Sequence, residues 1–70
     1  MPTKDDITPE SIVTLRDGYR FWSGVRKIYI DTYISGAIKG DGFVRINEVK
    51  GGKAHDITVN VTDIVMVQEA

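Results

Sequence analysis

The stretch "YRFWSGVRKIYIDTYISGAI", residues 19–38, decides whether this chain folds as an all-β domain or as a mixed one. Four of its apolar or aromatic residues lie near the spacing of one helix face: Trp22, Val25, Tyr29 and Tyr33. Its centre, "KIYIDTYI", is dominated by β-branched and aromatic residues, which favour a half-buried strand. Gly24 and Gly36 interrupt the stretch, and a glycine inside a strand marks a bulge or a bend. We therefore predict one long second strand, bent at Gly24, and no helix here.

Turn signals flank this long strand on both sides. On its amino-terminal side, Asp17-Gly18 follows the apolar run "SIVTL". An Asp-Gly pair between apolar runs predicts a hairpin of type I′, because that turn needs positive φ at both central residues. On its carboxyl-terminal side, "KGDG" predicts a second hairpin with a three-residue loop at Lys39–Asp41, which aligns Ile34 with Ile46.

A third turn, "KGGK" over residues 50–53, joins two runs whose polarity agrees with one register. With Gly51-Gly52 as a two-residue turn, one face of the hairpin pairs apolar residues and the other face pairs polar ones. The apolar pairs are Val44–Val59 and Ile46–Ile57, and the polar pairs are Arg45–Thr58 and Asn47–Asp56. One apolar and one polar face is typical of an antiparallel pair with one solvated side. The pattern predicts this hairpin in this register.

The two ends of the chain complete the predicted fold. Residues 8–11, "TPES", carry a helix-start pattern with Thr8 as the N-cap. Near the other end, the apolar alternation changes phase at Thr62-Asp63, which predicts a short turn before a fifth strand. We predict a single all-β domain over residues 8–70, with a one-turn N-terminal helix and a small five-stranded antiparallel meander that closes into a barrel. Closure leaves no exposed sheet edge. Residues 1–7 are expected to form a flexible N-terminal arm.

The segment "LRDGYRFWSGVRKIYID", residues 15–31, resembles the first motif of Sm-like proteins. That motif has a leucine, a nearby glycine, a second glycine before an apolar residue, and a later aspartate: here Leu15, Gly18, Gly24, Val25 and Asp31. With the order of the predicted elements, the chain resembles the small five-stranded barrels of the SH3-like and Sm-like type. The resemblance implies that fold and a tendency to form rings. Thr32-Tyr33 and Thr62-Asp63 stand at the family's RNA-contacting positions, so no binding residue is carried over.

Length and composition narrow the class of protein. Seventy residues make one domain with a small core, and such domains usually depend on disulfides, a metal or a partner. There is no cysteine and His55 is the only histidine, so neither a disulfide nor a metal site is expected. A homo-oligomer is therefore the expected source of additional stability. The net charge of −1 argues against a strongly basic nucleic-acid binder. The polar start "MPTKDDITPES" lacks a signal-peptide pattern and no apolar run is long enough for a membrane span, so we expect a cytoplasmic protein.

The sequence carries no pattern typical of a catalytic site. "GDG" at residues 40–42 is followed by a predicted strand, so no helix N-terminus would receive a phosphate. The register sets His55 opposite Glu48, which could act as an acid–base couple but is more typical of an exposed cross-strand pair. We expect no enzyme, no cofactor and no small-molecule substrate.

One stretch combines basic and aromatic residues. Residues 16–29 hold four basic residues against the single acid Asp17. On a strand, Arg20 and Trp22 point to one side while Tyr19 and Phe21 point to the other, inward side. The candidate surface consists of Arg20, Trp22, Arg26, Lys27 and Tyr29.

Three uses of this chain remain open at this point. In a self-associating module, Trp22 anchors a subunit interface, where Trp, Tyr and Arg are enriched. In an RNA or single-stranded DNA binder, the same rings stack on bases in a basic groove. The third is an adaptor in which a peptide adds to an open sheet edge. We rank the interface first, because a domain of this size needs a partner for its stability.

Overall fold

A computed structural model describes residues 7–70 of the chain. The elements follow one another as β1 Ser11–Leu15, β2 Arg20–Ser23, α1 Lys27–Lys39, β3 Phe43–Lys50, β4 Lys53–Asn60, the 3₁₀ turn η1 Val61–Asp63 and β5 Ile64–Glu69. Strands hold about half of the described residues, which confirms a small, mostly β domain. In this part of the chain, no helix is long and apolar enough to cross a membrane.

Helix α1 replaces most of the predicted long second strand, so that prediction is wrong. Strand β2 ends at Ser23, and the helix begins four residues later. Its inward stripe is Ile30, Ile34 and Ala37, spaced i, i+4, i+7, and Ile30 is fully buried. Burying one such isoleucine side chain stabilises the fold by about 1.5–3 kcal/mol. Propensity is a weak preference that tertiary packing overrides, and the packing of this stripe against the core favours the helix here.

The end of α1 also replaces the predicted second hairpin. The backbone N–H groups of Gly40 and Gly42 both donate to the Ala37 carbonyl, at 3.1 and 2.9 Å, which closes the helix. Ile34 therefore lies in the helix and has no strand register with Ile46. The Asp41 carboxylate accepts from the Phe43 N–H at 3.0 Å and starts β3.

The first and third predicted hairpins are confirmed. Residues 16–18 form the loop between β1 and β2, with Gly18 at φ 93° and no positive φ at Asp17. This loop is therefore a type I turn followed by a left-handed glycine, and the predicted type I′ geometry is wrong. In the third hairpin, Gly51 and Gly52 both have positive φ, as a type I′ turn requires. Its apolar and polar pairs are those predicted: Val44–Val59, Ile46–Ile57, Arg45–Thr58 and Asn47–Asp56.

The predicted N-terminal helix does not form. Residues 8–10 are not helical, and the backbone of Glu10 bonds to other segments. The Glu10 N–H donates to the Ser23 carbonyl at 2.8 Å, and the Ile7 N–H donates to the Gly52 carbonyl at 2.8 Å. Of the predicted flexible arm, residues 1–6 lie outside the described residues, and Ile7 is held against the third hairpin. The predicted turn at Thr62-Asp63 is confirmed as η1.

The sheets do not close into a barrel within residues 7–70, so the predicted barrel is wrong. One antiparallel sheet has the order β2-β1-β5, and β3 pairs with β4 in a second sheet. Helix α1 packs against β3 and β5, where the second half of a long strand would have continued the sheet. The core between these layers is small: Val13, Phe21, Ile30, Ala37, Val44 and Ile46.

A buried polar network fixes the point where β2 gives way to α1. The Asn47 Oδ1 accepts from the Ser23 hydroxyl at 3.1 Å and from the Gly24 N–H at 2.8 Å. The Ser11 hydroxyl donates to the Val25 carbonyl at 2.7 Å, and both serines are fully buried. A side chain of β3 thus takes the bonds that a neighbouring strand would offer to β2. This arrangement lets the chain leave the sheet without orphaned buried groups.

Candidate functional site

Strand β2 presents Arg20 and Trp22 to solvent, as the alternation of a strand predicts. Trp22 is 48% exposed, whereas Phe21 between these two residues is 4% exposed. Tyr19 departs from the prediction of an inward ring, since it is 46% exposed. Its ring stacks on Phe21 with centroids 6.0 Å apart, and its hydroxyl donates to Glu48. Tyr19 therefore covers the end of the core instead of filling it.

The sheet register adds neighbours from β1 and β5 to these two residues. One row across the sheet joins Trp22, Ile12 and Gln68, and the next row joins Arg20, Thr14 and Met66. Met66 is 47% exposed and Ile12 is half-buried. We name this surface the outer sheet face, and its members are Ile12, Thr14, Arg20, Trp22, Met66 and Gln68.

The outer sheet face combines three apolar side chains with two neutral polar ones and one positive charge, that of Arg20. The Arg20 guanidinium lies 3.5 Å from the Gln68 Oε1, and no acidic side chain pairs with it within residues 7–70. A shallow pocket of about 190 Å³ lies beside Trp22, between Ile12 and Arg20. A surface of this composition is typical of protein interfaces, where aromatic, Met and Arg side chains are enriched.

The other three candidate residues lie at the start of α1. Arg26 is the N-cap residue, and Lys27 and Tyr29 follow in the first helical turn. Lys27 forms an ion pair with Asp31, with Nζ 2.6 Å from Oδ2, while Tyr29 is half exposed. The predicted five-residue surface thus divides into two groups on different elements. No hydrogen bond or ion pair of the described residues joins one group to the other.

Sequence reasoning missed Ile12, Thr14, Met66 and Gln68, which form most of the outer sheet face. Their outward position follows from strand alternation, because Val13 and Val67 face the core on the same strands. Alternation alone does not tell which strands are neighbours. The pairing of β1 with β5 joins residues about 55 positions apart, and no turn signal marks it.

The Glu48–His55 pair lies in the predicted register, and no hydrogen bond joins the two side chains within residues 7–70. The Glu48 carboxylate accepts from the Tyr19 hydroxyl and lies 3.7 Å from the Lys50 amine. The hydrogen bond to this carboxylate raises the pKa of Tyr19, because it favours the protonated phenol. Over residues 7–70, no group of three His, Cys, Asp or Glu side chains is arranged to hold a metal ion.

Two larger depressions lie beside α1 and share Tyr33 and Arg45. The Arg45 guanidinium is 2.9 Å from the Asp41 carboxylate, so the charges at their common rim are paired. This ion pair and the Phe43 N–H lower the pKa of Asp41, the backbone hydrogen bond having the larger effect. The arrangement holds the junction of α1 and β3 and contributes no free charge to a ligand.

Comparisons of the chain with protein-family models, with curated proteins and with solved structures find no match.

Proposed function

We propose that this protein is a non-enzymatic, self-associating β module for binding or assembly, and that its copies meet through the outer sheet face. The observation that carries the proposal is the row of Trp22 and Ile12 beside Met66 on an open sheet surface. A tryptophan left half exposed beside other apolar side chains is typical of an interface anchor.

The size of the core supports this proposal. Only seven hydrophobic residues are buried in the described chain, whereas ten large hydrophobic residues are exposed. Aromatic side chains bury about 150–250 Å² each, so covering the exposed half of Trp22 removes roughly 100 Å² of apolar surface. At about 25 cal/mol per Å², this burial contributes a gross stabilisation of about 2.5 kcal/mol per copy, which the entropy cost of association offsets in part. Association thus supplies burial that the single chain lacks.

The distribution of charge favours a second copy as the occupant. Consider a two-fold axis that lies between the two packed faces, perpendicular to the strands and midway between the Trp22 row and the Arg20 row. Such an axis would set Arg20 of one copy over the partner's Trp22. That arrangement keeps the two guanidinium groups apart and gives each a cation–π contact. Sheets pack face to face at about 10 Å with interdigitated side chains. The face spans only about 15 Å by 15 Å, from strand rise and spacing, so this contact by itself predicts weak association.

Sedimentation equilibrium of the native chain and a Trp22→Ala variant tests the proposal. The native chain should self-associate as its concentration is raised from the micromolar range, and Trp22→Ala should weaken association by at least about ten-fold. Ile28→Ala is the matched control, because Ile28 is 63% exposed on α1 and away from the outer sheet face. A native chain that stays monomeric, or a Trp22→Ala variant with an unchanged profile, contradicts the proposal.

RNA or single-stranded DNA binding is the second candidate function. Arg20 beside the exposed Trp22 favours it, as does the absence of an acidic residue in the first turn of α1 within the described chain. The ion pair of Lys27 with Asp31 subtracts one charge from such a surface. Binding should quench the fluorescence of the single tryptophan and weaken steeply with salt. No quenching by an oligonucleotide at low salt excludes this function.

The remaining expectations from sequence stay predictions. They are the SH3-like or Sm-like resemblance with its tendency to form rings, the cytoplasmic location, and the absence of cofactor and small-molecule substrate. Ring formation would be one form of the self-association proposed here.

A further inference from the structure

The outer edge of β4 is the second surface on which this chain can gain contacts. Strand β4 pairs with β3 alone, and within residues 7–70 no backbone hydrogen bond joins residues 53–60 to any other segment. The two-residue turn at Gly51-Gly52 makes Lys50–Lys53 a hydrogen-bonded pair. Bonded and non-bonded pairs then alternate along the hairpin. The residues that direct their backbone groups away from β3 are therefore Ala54, Asp56, Thr58 and Asn60.

Of the devices that usually block an open strand, this edge has only the charges of Lys53 and Asp56. Its eight residues contain no proline and no bulge, and the register with β3 is continuous from end to end. Its single lysine, Lys53, is the first residue of the strand. At the end of β2, in contrast, the Asn47 side chain accepts a hydrogen bond from the Gly24 N–H and so takes up that backbone donor. On its outer side, β4 thus offers a row of backbone donors and acceptors that have no partner within residues 7–70.

We propose that β4 pairs in an antiparallel manner with β4 of a second copy, with Ile57 opposite the partner's Ile57. In this register Asp56 lies opposite the partner's Thr58, and Ala54 opposite the partner's Asn60. All residues of the Asp56–Thr58 and Ala54–Asn60 pairs direct their backbone groups away from β3, so both pairs would be hydrogen-bonded across the contact. A shift that sets Asp56 opposite the partner's Asp56 would bring two carboxylates together, which destabilises a sheet. The opposite shift, with Thr58 facing the partner's Thr58, pairs fewer residues.

The burial of β4 supports the same register. Ile57 and Val59 face the core side of the hairpin but are only half-buried in the single chain. Pairing sets Ile57 against the partner's Ile57 and extends the apolar face into a four-stranded sheet. A two-stranded sheet is marginal by itself, and added strands with an apolar face stabilise it.

This contact goes beyond the proposed function, because it uses a different surface from the outer sheet face. A chain with two separate two-fold contacts builds either a closed tetramer or an open chain of copies. A chain with only one of them stops at a dimer.

Disulfide trapping tests the register directly, because the native chain has no cysteine. In an Ile57→Cys variant, the two cysteines would form a non-hydrogen-bonded pair with Cα atoms about 4.5 Å apart, within disulfide range. Oxidation should convert most of the protein to a covalent dimer. Val59→Cys is the matched control, since its thiols would lie about 13 Å apart along the strands. The proposal is overturned if Ile57→Cys and Val59→Cys cross-link equally. It is also overturned if a Thr58→Cys variant cross-links and Ile57→Cys does not.

A proline variant tests the contact without a cysteine. Thr58→Pro removes an N–H that the hairpin does not use, and proline is tolerated on an edge strand. The assembly should lose one of its two contacts, so a tetramer should become a dimer in sedimentation. An unchanged mass overturns the proposal.

A double variant separates failure of the β4 contact from failure of the outer sheet face. When Trp22→Ala is added to Ile57→Cys, the outer sheet face is weakened and the β4 edge is unchanged. Disulfide cross-linking of this double variant should therefore equal that of the single Ile57→Cys variant. Cross-linking that is lost on adding Trp22→Ala would show that β4 does not pair by itself, and would overturn the proposal.

Discussion

Helix α1 and strand β3 are built from similar residues and adopt opposite structures. In both segments, about half of the residues are β-branched or aromatic, which are strand formers. In β3, the buried residues Val44 and Ile46 alternate with exposed ones, and a Gly-Gly turn returns the chain beside itself. In α1, the inward residues are spaced three and four positions apart, and no turn within residues 7–70 brings another strand alongside the segment to pair with it. The comparison shows that the spacing of inward residues, and not residue type, decides between helix and strand here.

Removal of the inward stripe of α1 should have the largest effect. Ile30→Ala leaves a cavity in a small core and should lower the free energy of unfolding by about 2–5 kcal/mol, enough to unfold a marginal domain. Ile28→Ala on the exposed face should change it by less than about 0.5 kcal/mol. Urea denaturation followed by circular dichroism measures both. Equal losses would show that α1 is not held by its stripe.

Loss of the polar network at the β2–α1 junction should come next. Asn47→Ala leaves the Gly24 N–H and the buried Ser23 hydroxyl without their acceptor, which should cost about 1–3 kcal/mol. Thr58→Ala is the control, because this exposed residue lies on the same polar face of the hairpin. If the two variants unfold at the same urea concentration, Asn47 does not fix the end of β2.

Glycine substitutions should act with opposite sign in the two regions. Gly51 has φ 58°, so Gly51→Ala should lower the free energy of unfolding by about 1 kcal/mol. Gly36 lies in α1 with nothing within 4 Å of an added Cβ, so Gly36→Ala should raise it by about 0.5–1 kcal/mol. Thermal unfolding of both variants provides the measurement. A stabilising Gly51→Ala or a destabilising Gly36→Ala would contradict the assigned backbone.

Acid should weaken the junction between the two regions slightly. The Phe43 N–H and Arg45 lower the pKa of Asp41 in the folded chain. A lowered folded-state pKa contributes stability above the unfolded-state pKa, and this contribution is lost as the pH falls through the folded-state pKa. Asp41→Asn should therefore be less stable than the native chain at neutral pH, and the difference should vanish in acid. A difference that is constant from neutral pH to strong acid would assign no role to the charge.

The local features of this molecule could be predicted from the sequence, and the non-local ones could not. Asp17-Gly18 and Gly51-Gly52 mark their hairpins because a turn depends on a few adjacent residues. The parity of Arg20 and Trp22 follows from one strand. The helix that carries Ile30, in contrast, is not predicted, because its β-branched and aromatic residues favour a strand, and the packing that overrides this preference is non-local.

The predicted site was limited by the same element. A strand through residues 19–38 would have kept Arg26, Lys27 and Tyr29 on the sheet with Trp22. Because α1 begins at Lys27, those residues leave the sheet, and β1 and β5 supply the neighbours of Trp22 instead. Long-range pairing of that kind is set by the shape of the whole core.

The fluorescence of the single tryptophan as a function of protein concentration tests the central claim most directly. Trp22 is half exposed in the single chain and becomes buried if copies meet through the outer sheet face. We predict that its emission shifts to shorter wavelength over the same concentration range in which the sedimented mass rises. An emission maximum that stays constant while the mass rises would show that association uses another surface, and would contradict the account.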